Sequence, residues 1–151
     1  MKELNLPAYS FKIKRNEKGQ NLIFDRARKK FVVLTPEEWV RQHFVRYMID
    51  EMGYPEGLIG VEVEFKLNEL TRRADILVYD KSGNPVLIVE CKSPDVKINN
   101  IAFDQIVAYN IRFRLDYIII TNGLEHYACF TDWKKGSYSF LKKIPQFSEI
   151  F

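Results

Sequence analysis

Between Arg73 and Lys92 the chain carries two short, β-branched-rich runs, Ile76-Leu77-Val78-Tyr79 and Val86-Leu87-Ile88-Val89. They are joined by Asp80-Lys81-Ser82-Gly83-Asn84-Pro85, a stretch dense in turn formers. This pattern predicts an antiparallel hairpin. Its simplest register sets Tyr79 opposite Val86, Leu77 opposite Ile88 and Asp75 opposite Glu90. Opposed side chains share a face, with Cβ atoms roughly 4.5–5.5 Å apart. Lys92 then projects on the side of Glu90, one pleat repeat or roughly 6.8 Å further on, while Cys91 points the other way.

Like charges directly opposed destabilise a sheet, so an Asp75–Glu90 pair needs a compensating charge. A divalent cation supplies one. Mg²⁺ takes oxygen ligands at roughly 2.0–2.1 Å, keeps several waters, and is commonly held by one or two carboxylates plus substrate phosphate. Asp75, Glu90 and the backbone carbonyl of Cys91 form such a half-shell. Lys92 beside it is a compact cation suited to lowering the pKa of an attacking water or neutralising charge that builds on a phosphate. The competing explanation is an ordinary solvated ion pair, worth about 0–1 kcal/mol. Four apolar residues lead directly into Glu90, which predicts a strand covered on both faces, where an unpaired charge is costly. With Asp75 at the matching place, phosphodiester hydrolysis is the favoured chemistry.

The remaining inventory agrees. A chain of 151 residues, 46% hydrophobic and 14% aromatic, suits one packed domain. No apolar run approaches the ~20 residues of a membrane span, and Met1-Lys2-Glu3-Leu4 lacks an apolar signal core, so the expected location is the cytoplasm. Two cysteines, Cys91 and Cys129, match no disulfide or metal spacing and read as reduced core residues. Two histidines, His43 and His126, leave little material for a zinc site or a histidine-based triad. The net charge of +3 is unevenly placed: residues 1–35 hold nine Lys or Arg against three acids, +6 locally, interleaved with Phe11, Phe24 and Phe31. That suits a phosphate backbone, and equally a solvated basic face.

Along the chain, residues 1–34 read as a small basic arm of short strands near 10–13, 21–24 and 31–34. Thr35-Pro36-Glu37-Glu38 then starts a helix, with Thr35 as N-cap, Pro36 at the first helical position and Glu38 completing a capping box. The helix is expected to reach about Met52 and stop at Gly53. A helical wheel puts Val40, Phe44, Val45, Met48 and Met52 on one arc, with Glu37 and Arg41 inside it. Because Glu38 is used by the cap, Glu37 is the acid expected to face the site, steadied by Arg41. A strand over 58–65 exposes Glu62 and Glu64. A helix over 100–113 places Gln105 and Tyr109 as i, i+4 neighbours, with Ile101, Ala108 and Ile111 as its apolar contacts. Strands over 115–121 and 126–131 flank the Asn122-Gly123 turn, the first at the sheet centre. The tail is expected to pack Tyr138, Phe140 and Phe147 on the body.

The ordered set Thr35-Pro36-Glu37-Glu38-Trp39-Val40-Arg41-Gln42, Arg73-Ala74-Asp75-Ile76, Glu90-Cys91-Lys92, Phe103-Asp104-Gln105 with Tyr109-Asn110, and Thr121-Asn122-Gly123 resembles the PD-(D/E)XK nuclease superfamily. More narrowly, it is similar to the N-terminal nuclease domain of type I restriction enzyme R subunits and their stand-alone bacterial relatives. The resemblance implies an α/β, restriction-endonuclease-like core with a central mixed β-sheet flanked by helices. It implies Asp75 and Glu90 as ligands of Mg²⁺, with Mn²⁺ as a substitute, Lys92 as catalytic lysine and Glu37 as the helix carboxylate. It implies that Gln105 and Tyr109, a Gln-x-x-x-Tyr motif, organise the site or contact DNA; Arg41 and Arg73 join them as site-organising or substrate-contacting groups. The implied partners are nucleic acid, DNA first, and separate motor or specificity subunits. Ala74 stands where the name motif has Pro, and no Gly-x-x-x-x-Gly-Lys-Ser/Thr occurs, so this chain holds no ATP-driven motor motif.

Overall fold

The computed structural model describes every residue except Asn68, and the side chains of all the others except Leu67 and Tyr109. Two sheets and two main helices carry the fold. β1 (Ile13–Arg15), β2 (Asn21–Asp25) and β3 (Lys30–Val33) form a small antiparallel sheet of their own. α1 (Pro36–Asp50) follows, and a 3₁₀ turn at Glu56–Leu58 leads into a six-stranded sheet. Its strands are β4 (Ile59–Leu67), β5 (Leu70–Tyr79), β6 (Pro85–Cys91), β7 (Tyr117–Thr121), β8 (His126–Asp132) and β9 (Ser137–Leu141), in that spatial order. α2 (Asn100–Phe113) connects β6 to β7, the one parallel pair among the described strands, as a parallel neighbour requires a crossover. A short α3 (Phe147–Ile150) ends the chain. The sheet is therefore mixed and flanked by helices, as expected.

α1 begins where the sequence says it should. The Thr35 side chain accepts the Glu38 N–H, and Pro36 costs no hydrogen bond at the first turn. Gly53 takes a left-handed φ of 75° just past the helix, a conformation that favours glycine. Val40, Phe44 and Met48 are fully buried against Ile76, Val78, Leu87, Val89, Cys91 and Ile119 on one face of the sheet. On the other face, Phe103, Val107 and Phe113 of α2 pack on Ala74, Leu77, Ile88, Ile118 and Ile120.

Three expectations need correction. The packed face of α2 carries Phe103, Val107 and Phe113, whereas Ile101 and Ile111 are 70% and 61% exposed and Ala108 is exposed too; the helix is rotated so that i, i+4 and i+10 from Phe103 meet the sheet. Tyr138 and Phe140 are 46% and 57% exposed on the edge strand β9; Phe140 still lays its ring against Phe103 of α2, centroids 4.7 Å apart, and Phe147 packs against Tyr54, so the expectation fails at Tyr138. The β5–β6 hairpin pairs Leu77 with Ile88 as predicted, but a bulge between Val78 and Tyr79 puts Tyr79 opposite Pro85 rather than Val86. Because the bulge lies at the turn end, the register toward the site is unchanged.

Candidate functional site

The site lies where β5 and β6 part. Their paired register ends at Ile76↔Val89. Beyond it the Cys91 N–H donates to Oδ2 of Asp75, at 2.8 Å, instead of to a backbone carbonyl of β5. The N–H and C=O of one strand residue point the same way. The Cys91 carbonyl is therefore aimed to the side from which Asp75 approaches, while the Lys92 N–H turns to the Thr121 carbonyl of β7, at 2.8 Å.

Strict alternation fails on β5 at this place. Ala74 and Leu77 both pack on the α2 side, while Ile76 and Val78 pack on the α1 side, so the phase slips by one residue around Asp75. On β4, Glu62 lies between the pairs Val61↔Ile76 and Val63↔Ala74, and has a left-handed φ of 53°. For a non-glycine residue in a strand, that conformation costs on the order of 1 kcal/mol or more. It coincides with an ion pair from Glu62 to Arg41, at 2.8 Å. Asp75 thus does not simply share a face with Glu90. It sits in the gap between the strands, and Glu90 follows Ile88 on the α2 side.

Arginines hold both strand carboxylates. Nη2 of Arg41 donates to Oδ1 of Asp75 at 2.8 Å, and Arg72 pairs with Oε1 of Glu90. Arg41 is buried and also meets Glu38 at 2.7 Å and Glu37 at 3.3 Å, so one guanidinium faces four acids. Glu38 is the buried one of the helix pair. Its side chain accepts from Arg28, Arg41 and Gln42 rather than closing a capping box onto Thr35, so the cap is one-sided. Glu37 is half-exposed, nearer solvent, and senses the charges of Asp75 and Lys92.

The electrostatics tie these groups together. Burial, and next the Asp75 charge, raise the Glu37 carboxyl above its ordinary range, with Arg41 and Lys92 pulling the other way. Glu90 is also raised, first by burial; Arg72 and Lys92 oppose, and Asp75 adds repulsion. Asp75 and Lys92 thus each act on both Glu37 and Glu90. Cys91 faces the α1-side core, and its thiol is pushed well up by burial.

The other expected residues divide. Arg73 is exposed and bonds Glu62 at 2.9 Å, so it organises the β4–β5 side of the gap. Gln105 is exposed on α2, and among the described residues no hydrogen bond ties it to the acids. The side chain of Tyr109, the other half of that motif, lies outside the described residues. Thr121-Asn122-Gly123 shapes the neighbouring loop. Asn122 donates to the Val96 carbonyl and accepts the N–H groups of Leu124 and Glu125, while Thr121 meets His126 at 2.7 Å. Gly123, with φ 85°, has Leu4 so near that a Cβ would lie 2.7 Å from its side chain.

Residues that the sequence reading missed are Arg72, Glu38, Arg28 and the full role of Glu62. Glu38 had a signal, since Arg41 and Gln42 stand at i+3 and i+4. Arg28 had none, because its partner comes from an element ten residues away.

Two carboxylates and a carbonyl are hard oxygen donors of the kind Mg²⁺ accepts, and the repulsion that Asp75 exerts on Glu37 and on Glu90 is what a cation relieves. Among the described residues no group of three or more His, Cys, Asp or Glu is arranged as a metal cage. The set fits an ion that relies on water and phosphate for its remaining ligands.

No curated protein matches the chain. A solved structure, described as a fragment of an HsdR subunit of a type I restriction enzyme from Vibrio vulnificus YJ016, superposes with a TM-score of 0.55 at 21% identity. The match covers 78% of this chain and 24% of that one, so this chain spans about a quarter of that fragment's length, and the likeness is one of fold. No helix is long and apolar enough to cross a membrane among the described residues. Residues 36–145, well over half of the sequence, match the family described as the type I restriction enzyme R protein N terminus. They contain every acid and lysine brought together above, and the chain belongs to that family.

Proposed function

We propose that this protein is a Mg²⁺-dependent nuclease that hydrolyses phosphodiester bonds of DNA. The observation that carries the reading is the parting of β5 and β6, with Asp75 and the Cys91 backbone in the gap, Glu90 on β6 beside it and Lys92 just past the end of that strand. A bound Mg²⁺ would polarise the phosphate and lower the pKa of a water nucleophile. Asp75, Glu90 and the Cys91 carbonyl would hold it. The chain's own work is then positional. Cys91 N–H and Arg41 fix both oxygens of Asp75, Lys92 supplies positive charge near the scissile phosphate, and Glu37 holds or moves a proton at the solvent side.

One observation favours a second reading, a nucleic-acid-binding or adaptor module without hydrolysis: arginines already neutralise Asp75 and Glu90. Calorimetric titration with Mn²⁺, followed by incubation with single- and double-stranded DNA, separates the two. The nuclease reading expects one Mn²⁺ site that Glu90→Gln weakens, together with metal-dependent cleavage. DNA binding with no metal heat and no cleavage would favour the adaptor and sink the nuclease.

Glu37 gives a pH test. Its folded-state pKa is raised from 4.5, so the metal-free fold binds this proton more tightly than the unfolded chain does. The associated stability is present below the ordinary carboxylate pKa and is lost as pH rises through the raised value. Relative to wild type, Glu37→Gln is therefore expected to gain stability between pH 4 and pH 7. Because the side chain is half-exposed, the gain is no more than about 1 kcal/mol. Thermal melts of both proteins across that window measure it, and a gain that shrinks with rising pH would contradict the assignment.

A further inference from the structure

We infer that the N-terminal sheet is part of the site, and that Arg28, in the turn between β2 and β3, is a positioning residue for Asp75. This rests on the proposed nuclease reading for its functional meaning, and on hydrogen bonds for its substance.

Asp25, almost fully buried, accepts the N–H groups of Ala27 and Arg28 on Oδ1 and Nε of Arg28 on Oδ2. That closes the β2–β3 turn and aims the guanidinium at α1. Nη2 of Arg28 donates to Oε1 of Glu38 at 2.6 Å; the same oxygen takes Nη1 of Arg41 at 2.7 Å, while Gln42 holds Oε2. Arg41 then donates to Oδ1 of Asp75, whose other oxygen carries the Cys91 N–H. Each link is a charge-assisted bond with one side at least largely buried, and Oε1 of Glu38 is shared between Arg28 and Arg41. Arg28 touches neither Asp75 nor the strands of the large sheet through any hydrogen bond among the described residues. Its influence on Asp75 passes through Glu38 and Arg41. Arg28 also stands outside the matched stretch of residues 36–145.

A built-in control lies two residues away. Arg26 is in the same turn, but it pairs with exposed Glu56 and leads nowhere near Asp75. The experiment is a double-mutant cycle on metal-free protein, read as melting temperature, with Arg28→Met and Asp75→Asn singly and together, and the same cycle with Arg26→Met. Non-additive losses in the Arg28 cycle and additive ones in the Arg26 cycle are expected, because residues without shared partners add. Mn²⁺ titration supplies the second readout. Arg28→Met is expected to weaken Mn²⁺ binding several-fold, less than the roughly 10–100-fold loss on removing a direct partner of a metal ligand, and Arg26→Met to leave it unchanged. Should Arg28→Met not fold, Arg28→Lys keeps the charge while losing the two-ended fork, and carries the same expectations. Additive cycles with wild-type Mn²⁺ affinity would overturn the inference. If wild type binds no Mn²⁺ at all, the nuclease reading fails, and the metal-free cycle still decides whether Arg28 acts on Asp75.

Discussion

Replacing Lys92 with alanine is expected to cut metal-dependent DNA cleavage by about 10²–10³-fold, the usual loss on removing one preorganised charge from a reaction centre. The fold should scarcely notice. The Lys92 backbone is secured by its N–H to the Thr121 carbonyl, which alanine keeps, and no ion pair or side-chain hydrogen bond from its ammonium is seen among the described residues. Melting temperature should therefore stay near wild type while turnover collapses. Asp75→Ala lacks this clean separation, because it also deprives Arg41 and the Cys91 N–H of their acceptor. A gel assay on supercoiled and linear DNA with Mg²⁺, paired with a thermal melt, checks the Lys92 expectation. Full activity in the variant would remove the lysine from the mechanism.

The largest effect on stability is expected at Arg41. Changing it to Met retains the stem but leaves Glu38 and Asp75, both largely buried, and Glu62, largely covered, without their shared cation. Breaking a buried pair by removing one partner costs about 3–5 kcal/mol, which for a chain of this size lowers the melting temperature by roughly 6–20 °C. Arg46→Met on the same helix serves as comparison, because its pair with Asp50 is half-exposed. Equal losses in the two variants would show that burial of the Arg41 cluster has been overrated.

Much of this was legible from sequence for identifiable reasons. The hairpin register toward the site followed from alternating β-branched residues, and Leu77↔Ile88 is where it was expected. The start of α1 followed from cap chemistry, and its buried stripe from a 3.6-residue period. What failed was whatever depends on long side chains reaching between elements. Arg72 finding Glu90, and Arg28 finding Glu38, join groups far apart in sequence through flexible stems, and no periodicity encodes that. The treatment of Glu38 shows a different failure. Assigning Glu38 to a reciprocal cap removed it from consideration, whereas the Thr35 hydroxyl alone satisfies the helix start and leaves the Glu38 carboxylate available to the arginines. The slip at Asp75 was hidden for a related reason, since strict alternation is the assumption by which strands are read.

The two free thiols sit on opposite sides of the large sheet, Cys91 under α1 and Cys129 under α2, and both are buried. A small alkylating reagent can reach each only when its own covering helix lifts. Their modification rates, followed residue by residue, are two independent clocks, one for each layer of the molecule, and the Cys91 clock records how often α1, with the Arg41 it carries, leaves the sheet.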